Sequence, residues 1–132
     1  MKLSLAILLI SVLALRFAAG QSNSAASTLD QISNGPVAEY ISDSNCTIGW
    51  STRAAGTMTL QYSTDRTKLT QTKEAVESND GRNHHVRLDG LTPNTRYYFR
   101  VANAGEAVSG VGTFRTVAAG EAPIKSKAII PQ

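Results

Sequence analysis

The segment Gly90 to Val101, GLTPNTRYYFRV, constrains the fold of this chain more than any other, because it joins a tight turn to a strand with dictated inward positions. Pro93 presets its own φ and Asn94 favours turn geometry, so Leu91 to Thr95 reads as a corner that reverses the chain. Beyond it Tyr97, Phe99 and Val101 alternate with Tyr98, Arg100 and Ala102, the period-2 pattern of a strand with one buried and one wet face. This points to a β-sandwich.

The preceding chain repeats the pattern in short pieces separated by turn residues. Val37 to Ile41 can form a first strand. Asp43 to Asn45 then turns the chain into Cys46 to Ser51, where Cys46, Ile48 and Trp50 share one face. After Arg53 to Gly56, a second turn, Met58, Leu60 and Tyr62 alternate with Thr57, Thr59 and Gln61. Lys68 to Val76, rich in threonine and lysine, fits an edge strand whose charges discourage further pairing. Ser78 to Gly81 is a strong turn, and beyond it His84, Val86 and Leu88 share a face. Asn103 to Glu106 turns the chain again, and Val108 to Val117 closes the sandwich. The expected fold is therefore all-β, a seven-stranded antiparallel sandwich over residues 36–117. Its predicted core is Ile48, Trp50, Leu60, Tyr62, Val86, Leu88, Leu91, Tyr97, Phe99 and Val101.

With its leucine, proline, threonine and tyrosine at Leu91, Pro93, Thr95 and Tyr97, the corner resembles that of fibronectin type III domains, a branch of the Ig-like sandwiches. The resemblance implies that Tyr97 bonds its hydroxyl back to upstream backbone. TIGWST at Thr47–Thr52, LQYSTD at Leu60–Asp65 and then GLTPNTRYYFRV are, within that superfamily, most similar to the N-terminal domain of purple acid phosphatases. No catalytic domain follows residue 117 in the sequence, so enzymatic activity is not expected to be inherited.

Residues 1–20 read as an export signal: Lys2 precedes the apolar stretch Leu3 to Leu15, and Ala18, Ala19 and Gly20 are small enough for signal peptidase. The apolar stretch is about 13 residues, shorter than the roughly 18 needed to cross a bilayer, so no membrane span is expected after cleavage. Residues 21–35 read as a flexible leader and residues 118–132 as a C-terminal tail, either a linker or a terminal strand segment. Removing the signal takes away Lys2 and Arg16 and leaves 11 basic against 10 acidic residues, a net charge of +1. Arg53, Arg66, Arg82, Arg87, Arg96, Arg100 and Arg115 are dispersed along the chain, which argues against a nucleic-acid partner. Cys46 is the only cysteine, so no internal disulfide can form and the core must stand on packing.

Candidate chemistry is sparse. His84 and His85 are adjacent on a strand and point to opposite faces, so they cannot chelate one ion together, and no metal or cofactor is expected. No G-x-S-x-G element is present, and Gly105, Gly110 and Gly112 open no helix that could cradle a phosphate. Asn45, Cys46 and Thr47 form an N-x-T glycosylation acceptor at a turn. Tyr98 and Arg100 face outward and form a candidate binding surface, with Tyr40 and Gln61 as flanking candidates. The resemblance implies a secreted, periplasmic or cell-surface non-catalytic module that binds an extracellular protein or polysaccharide, or acts as a spacer. The alternative is an accessory domain of a phosphatase-like metalloenzyme, working beside a separate catalytic partner.

Overall fold

The computed structural model describes residues 31–127 and 129–132. The expected export signal and most of the leader lie outside the described residues. No helix among the described residues is long and apolar enough to cross a membrane.

Two antiparallel sheets of five strands each make up the fold, and the described residues contain no helix. The first sheet has the order β10 (Ile124–Lys125), β1 (Ile32–Ile41), β2 (Cys46–Thr52), β6 (Asn83–Leu88), β5 (Val76–Glu77). The second runs β4 (Gln71–Glu74), β3 (Thr59–Ser63), β7 (Arg96–Asn103), with β8 (Glu106–Ala107) and β9 (Gly112–Arg115) sharing the far edge of β7. The described residues form ten strands where the sequence predicts seven, and each addition has a local cause. The predicted edge strand Lys68 to Val76 divides between the sheets: Gln71–Glu74 pairs with β3, the Ala75 N–H donates to the Met58 carbonyl, and Val76–Glu77 crosses to β6. Of Val108 to Val117 only Gly112–Arg115 is strand, since the Ser109 hydroxyl accepts the Val101 N–H in place of backbone, while the added strand β8 starts at Glu106, in the predicted turn, and pairs with Ala102 and Asn103. The first strand begins at Ile32, inside the expected leader, and tolerates register shifts around Gly35–Pro36. Gly35 has φ +86°, and a Cβ there would stand 2.9 Å from the Gly49 carbonyl oxygen, so this irregularity requires glycine.

Between the sheets lie Cys46, Ile48, Trp50, Val86 and Leu88 of the first and Leu60, Tyr97, Phe99, Val101 and Phe114 of the second, closed by Met58, Leu91 and Val108. Tyr62 corrects the predicted core list: it is half-buried and packs against the core from its edge, because its cross-strand neighbour Gln71 belongs to the exposed edge strand. Trp50 is fully buried and its ring lies stacked on His84, centroids 5.4 Å apart and 12° from parallel. Tyr97 and Phe99 both pack against the Phe114 ring. At the corner the Thr92 N–H donates to the Tyr97 hydroxyl at 2.9 Å, while Asn94 takes the left-handed φ of +48° that asparagine tolerates. The Thr116 hydroxyl fixes the same corner, donating to the Thr92 carbonyl and accepting the Thr95 N–H.

The tail is a terminal strand segment and more. Val117 N–H donates to the Ser42 carbonyl and Gly120 N–H to the Asp43 carboxylate, after which β10 joins the open edge of β1. Ile130 then returns to the domain and is buried to 1% exposure.

Candidate functional site

Strand register decides what the second sheet shows to solvent. Leu60 and Val101 pair across β3 and β7 and are both fully buried, so the neighbouring pair Gln61 and Arg100 points outward. Two residues along β7, Tyr98 lies opposite Ser63 on β3 and Thr113 on β9; two further along, Arg96 lies directly opposite Arg115. Arg96, Tyr98 and Arg100 thus form one outward row, with Arg115 beside it. The Arg100 Nε donates to Gln61 Oε1 at 2.7 Å, which sets both side chains. Arg96 donates to the Thr113 hydroxyl at 3.2 Å and Arg115 to the Asn94 carbonyl at 3.0 Å. Every acceptor here is neutral, and among the described residues none of the three guanidiniums has a carboxylate partner.

Sequence reasoning singles out Tyr98 and Arg100, and the structure adds Gln61, Arg96 and Arg115 to them. The alternation within β7 already carries Arg96. Arg115 joins only through the β7–β9 register, which no local pattern reveals. Tyr40 belongs elsewhere, on β1 of the other sheet.

The outer side of the first sheet holds a second polar cluster. His85, expected at the surface, is 9% exposed because the tail covers it. Its Nε2 lies 3.1 Å from the carboxylate of the equally buried Glu39, and the Gln132 side-chain amide reaches the ring at 2.8 Å. Glu39 also accepts the N–H of Ile130 through its carboxylate and the N–H of Ser126 through its backbone carbonyl. Gly49 makes room for the pair: a Cβ there would stand 2.9 Å from His85 Nε2 and 3.0 Å from the Glu39 carboxyl carbon. Beside it opens a cleft of about 350 Å³ lined by Glu39, Tyr40, Thr47, Arg87, Lys125 and Ile129.

His84 points the other way, into the core. One ring nitrogen meets the Thr52 hydroxyl at 2.9 Å, and Nδ1 lies 3.6 Å from the Glu77 carboxylate. Burial holds this imidazole below its ordinary range, against the opposing pull of the Glu77 charge. Burial likewise pushes the Cys46 thiol up to about 12, which leaves negligible thiolate for nucleophilic chemistry at neutral pH. No three of the described His, Cys, Asp and Glu side chains are arranged to hold a metal ion. Asn45 of the glycosylation pattern is half-buried, with its Oδ1 enclosed and without a hydrogen-bond partner among the described residues.

The sequence profile of one family, described as the N-terminal domain of purple acid phosphatase, matches residues 34–116, which run from within β1 through β9. The chain belongs to this family. As a purple acid phosphatase N-terminal domain it extends past the matched region, since β10 and the buried Ile130 lie beyond residue 116. No curated protein sequence matches it. Among solved structures it is similar to the sensor domain of the anti-sigma factor RsgI4 in Pseudobacteroides cellulosolvens. The longer form of that domain is 25% identical with a TM-score of 0.51, the match covering 75% of this chain and 97% of that one. The shorter form is 22% identical with a TM-score of 0.50, covering 66% and 93%. PhoD is matched at 22% identity and a TM-score of 0.48 over 70% of this chain but only 19% of its own length, so the chain spans about a fifth of PhoD.

Proposed function

We propose that this purple acid phosphatase N-terminal domain works as an exported, non-catalytic recognition module, with the outer face of the second sheet as its contact surface. The observation that carries the reading is the row Arg96, Tyr98 and Arg100 with Arg115 alongside, three guanidiniums with neutral partners around a half-exposed tyrosine. Surface arginines held only by neutral acceptors keep most of their donors for a partner. The likeness to a sensor domain supports the same reading. The test is capture: the full-length chain, expressed with its own signal, is recovered from the exported fraction and used as bait against envelope proteins and insoluble polysaccharides. Specific retention that Arg100→Ala or Tyr98→Ala removes is the expected result. Recovery only from the cytoplasm, or retention indifferent to both variants, would overturn the reading.

Family membership favours a second reading, in which the domain, encoded alone or as part of a longer chain, serves a phosphatase catalytic domain. Capture of phosphatase activity by the same bait, lost on denaturing the bait, distinguishes it.

A further inference from the structure

Arg96 and Arg115 are direct cross-strand partners on adjacent strands, the Arg96 guanidinium turned toward Thr113 and the Arg115 guanidinium toward Asn94. Among the described residues no carboxylate pairs with either. The acidic side chain on this face, Glu74, pairs with Thr59, whose other neighbour is Ala102, at the opposite end of β7 from Arg96. Arg100 stands four residues from Arg96, roughly 13 Å along the strand, and Tyr98 lies between them. Three cations are therefore spread along a flat face with an aromatic ring in the middle, and each keeps part of its guanidinium fork uncommitted.

We propose that this face binds an acidic polysaccharide, a sugar polymer bearing carboxylate groups. The inference rests on the recognition reading above and gives it a ligand class. Carboxylates fit the planar guanidinium fork, and each of these three forks keeps donors free for one. The Tyr98 ring offers an apolar body for the C–H face of a sugar and a hydroxyl for its rim. Charge alone would also admit a nucleic acid, but three cations neutralise too few phosphates for a duplex, and the face has one aromatic side chain where a single strand would want several. An acidic protein partner would want a buried apolar cluster at the centre of the contact, and the positions around Tyr98 are Ser63, Thr113 and Gln61.

The test is affinity electrophoresis and calorimetry of the full chain with polygalacturonate and alginate, against neutral galactan, single-stranded DNA and poly-glutamate. Binding to the uronate polymers is expected, weakening as salt rises. Arg96→Gln and Arg115→Gln are each expected to lower affinity about five- to tenfold and to flatten the salt dependence. Tyr98→Ala is expected to lower affinity severalfold with the salt dependence unchanged. The two arginine variants should melt close to the wild-type temperature, since both side chains are exposed and give up only exposed hydrogen bonds, so lost binding cannot be put down to lost folding. Uronate binding that survives both arginine variants overturns the proposal. So does preference for DNA or poly-glutamate. Retention on neutral galactan or on an envelope protein alone sinks the acidic-polysaccharide inference while leaving the recognition reading standing, whereas no capture by any route fails both.

Discussion

Ile130→Ala should release the C-terminal tail from the first sheet without unfolding the domain. Three interactions hold the last residues in place. Ile130 is buried, worth about 1.5–3 kcal/mol. Its N–H bonds a carboxylate, worth about 1.5–3 kcal/mol, and the Gln132 amide bonds the His85 ring, worth about 0.5–1.5 kcal/mol. These add to about 3.5–7.5 kcal/mol. Ordering the four residues Ile129 to Gln132 costs about 1–2 kcal/mol each, so the docked tail is held by a near balance. Trimming isoleucine to alanine removes about 2 kcal/mol of burial, enough to tip it. In a closed core the same change would cost about 2–5 kcal/mol of global stability, but here the tail can leave, and the global loss is capped at its small net docking energy. Hydrogen exchange by NMR on the full chain separates the cases. The Ile130 and Ser126 amides should lose protection, and the amides of β2 and β6 should keep theirs, with a urea midpoint shift corresponding to less than about 1–2 kcal/mol. If instead the global stability falls by about 3 kcal/mol or more and the tail amides exchange together with β2, the tail is part of the cooperative core and the balance above is wrong.

Gly49→Ala puts a methyl against the Glu39–His85 pair and should destabilise the domain by about 1–3 kcal/mol in urea melts, less when Ile130→Ala has already loosened the cover; a neutral effect would mean the pair moves aside freely. Cys46 should resist a disulfide reagent at pH 8 until the protein is unfolded, because its thiol is pushed up to about 12; stoichiometric reaction of the native protein would contradict its burial. The His84 shift also fixes a pH dependence. An unfolded histidine titrates near pH 6.5, whereas folded His84 stays neutral to lower pH, so its contribution is complete above about 6.5 and is lost as pH falls toward the folded value. NMR titration of the ring should find its midpoint below 6.5, and a midpoint at or above 6.5 would refute the assignment.

Much of the fold was legible because buried positions recur at period two and turns carry their own residues. Trp50, Leu60, Val86 and Phe99 declare themselves by alternation alone, and Pro93 with Asn94 marks the corner before Tyr97. What escaped has a common physical cause: it depends on contacts between distant segments. Lys68 to Val76 has no strong alternation, so its division between two sheets is decided by which edges are open, β3 for Gln71–Glu74 and β6 for Val76–Glu77. His85 is polar on the outer side of a sheet, which reads as surface until a segment 47 residues downstream covers it. Tyr62 has the pattern of a core residue and the partner of an edge residue.

The same rule governs the candidate surface. In the linear sequence the seven arginines from Arg53 to Arg115 are dispersed, which argues against a basic stripe. Alternation places Arg96 and Arg100 on one side of β7, but it cannot say that Arg115 will arrive beside Arg96, because that follows from where the chain turns after β8 and where β9 enters the ladder. Strand register therefore turns a dispersed charge into a local one.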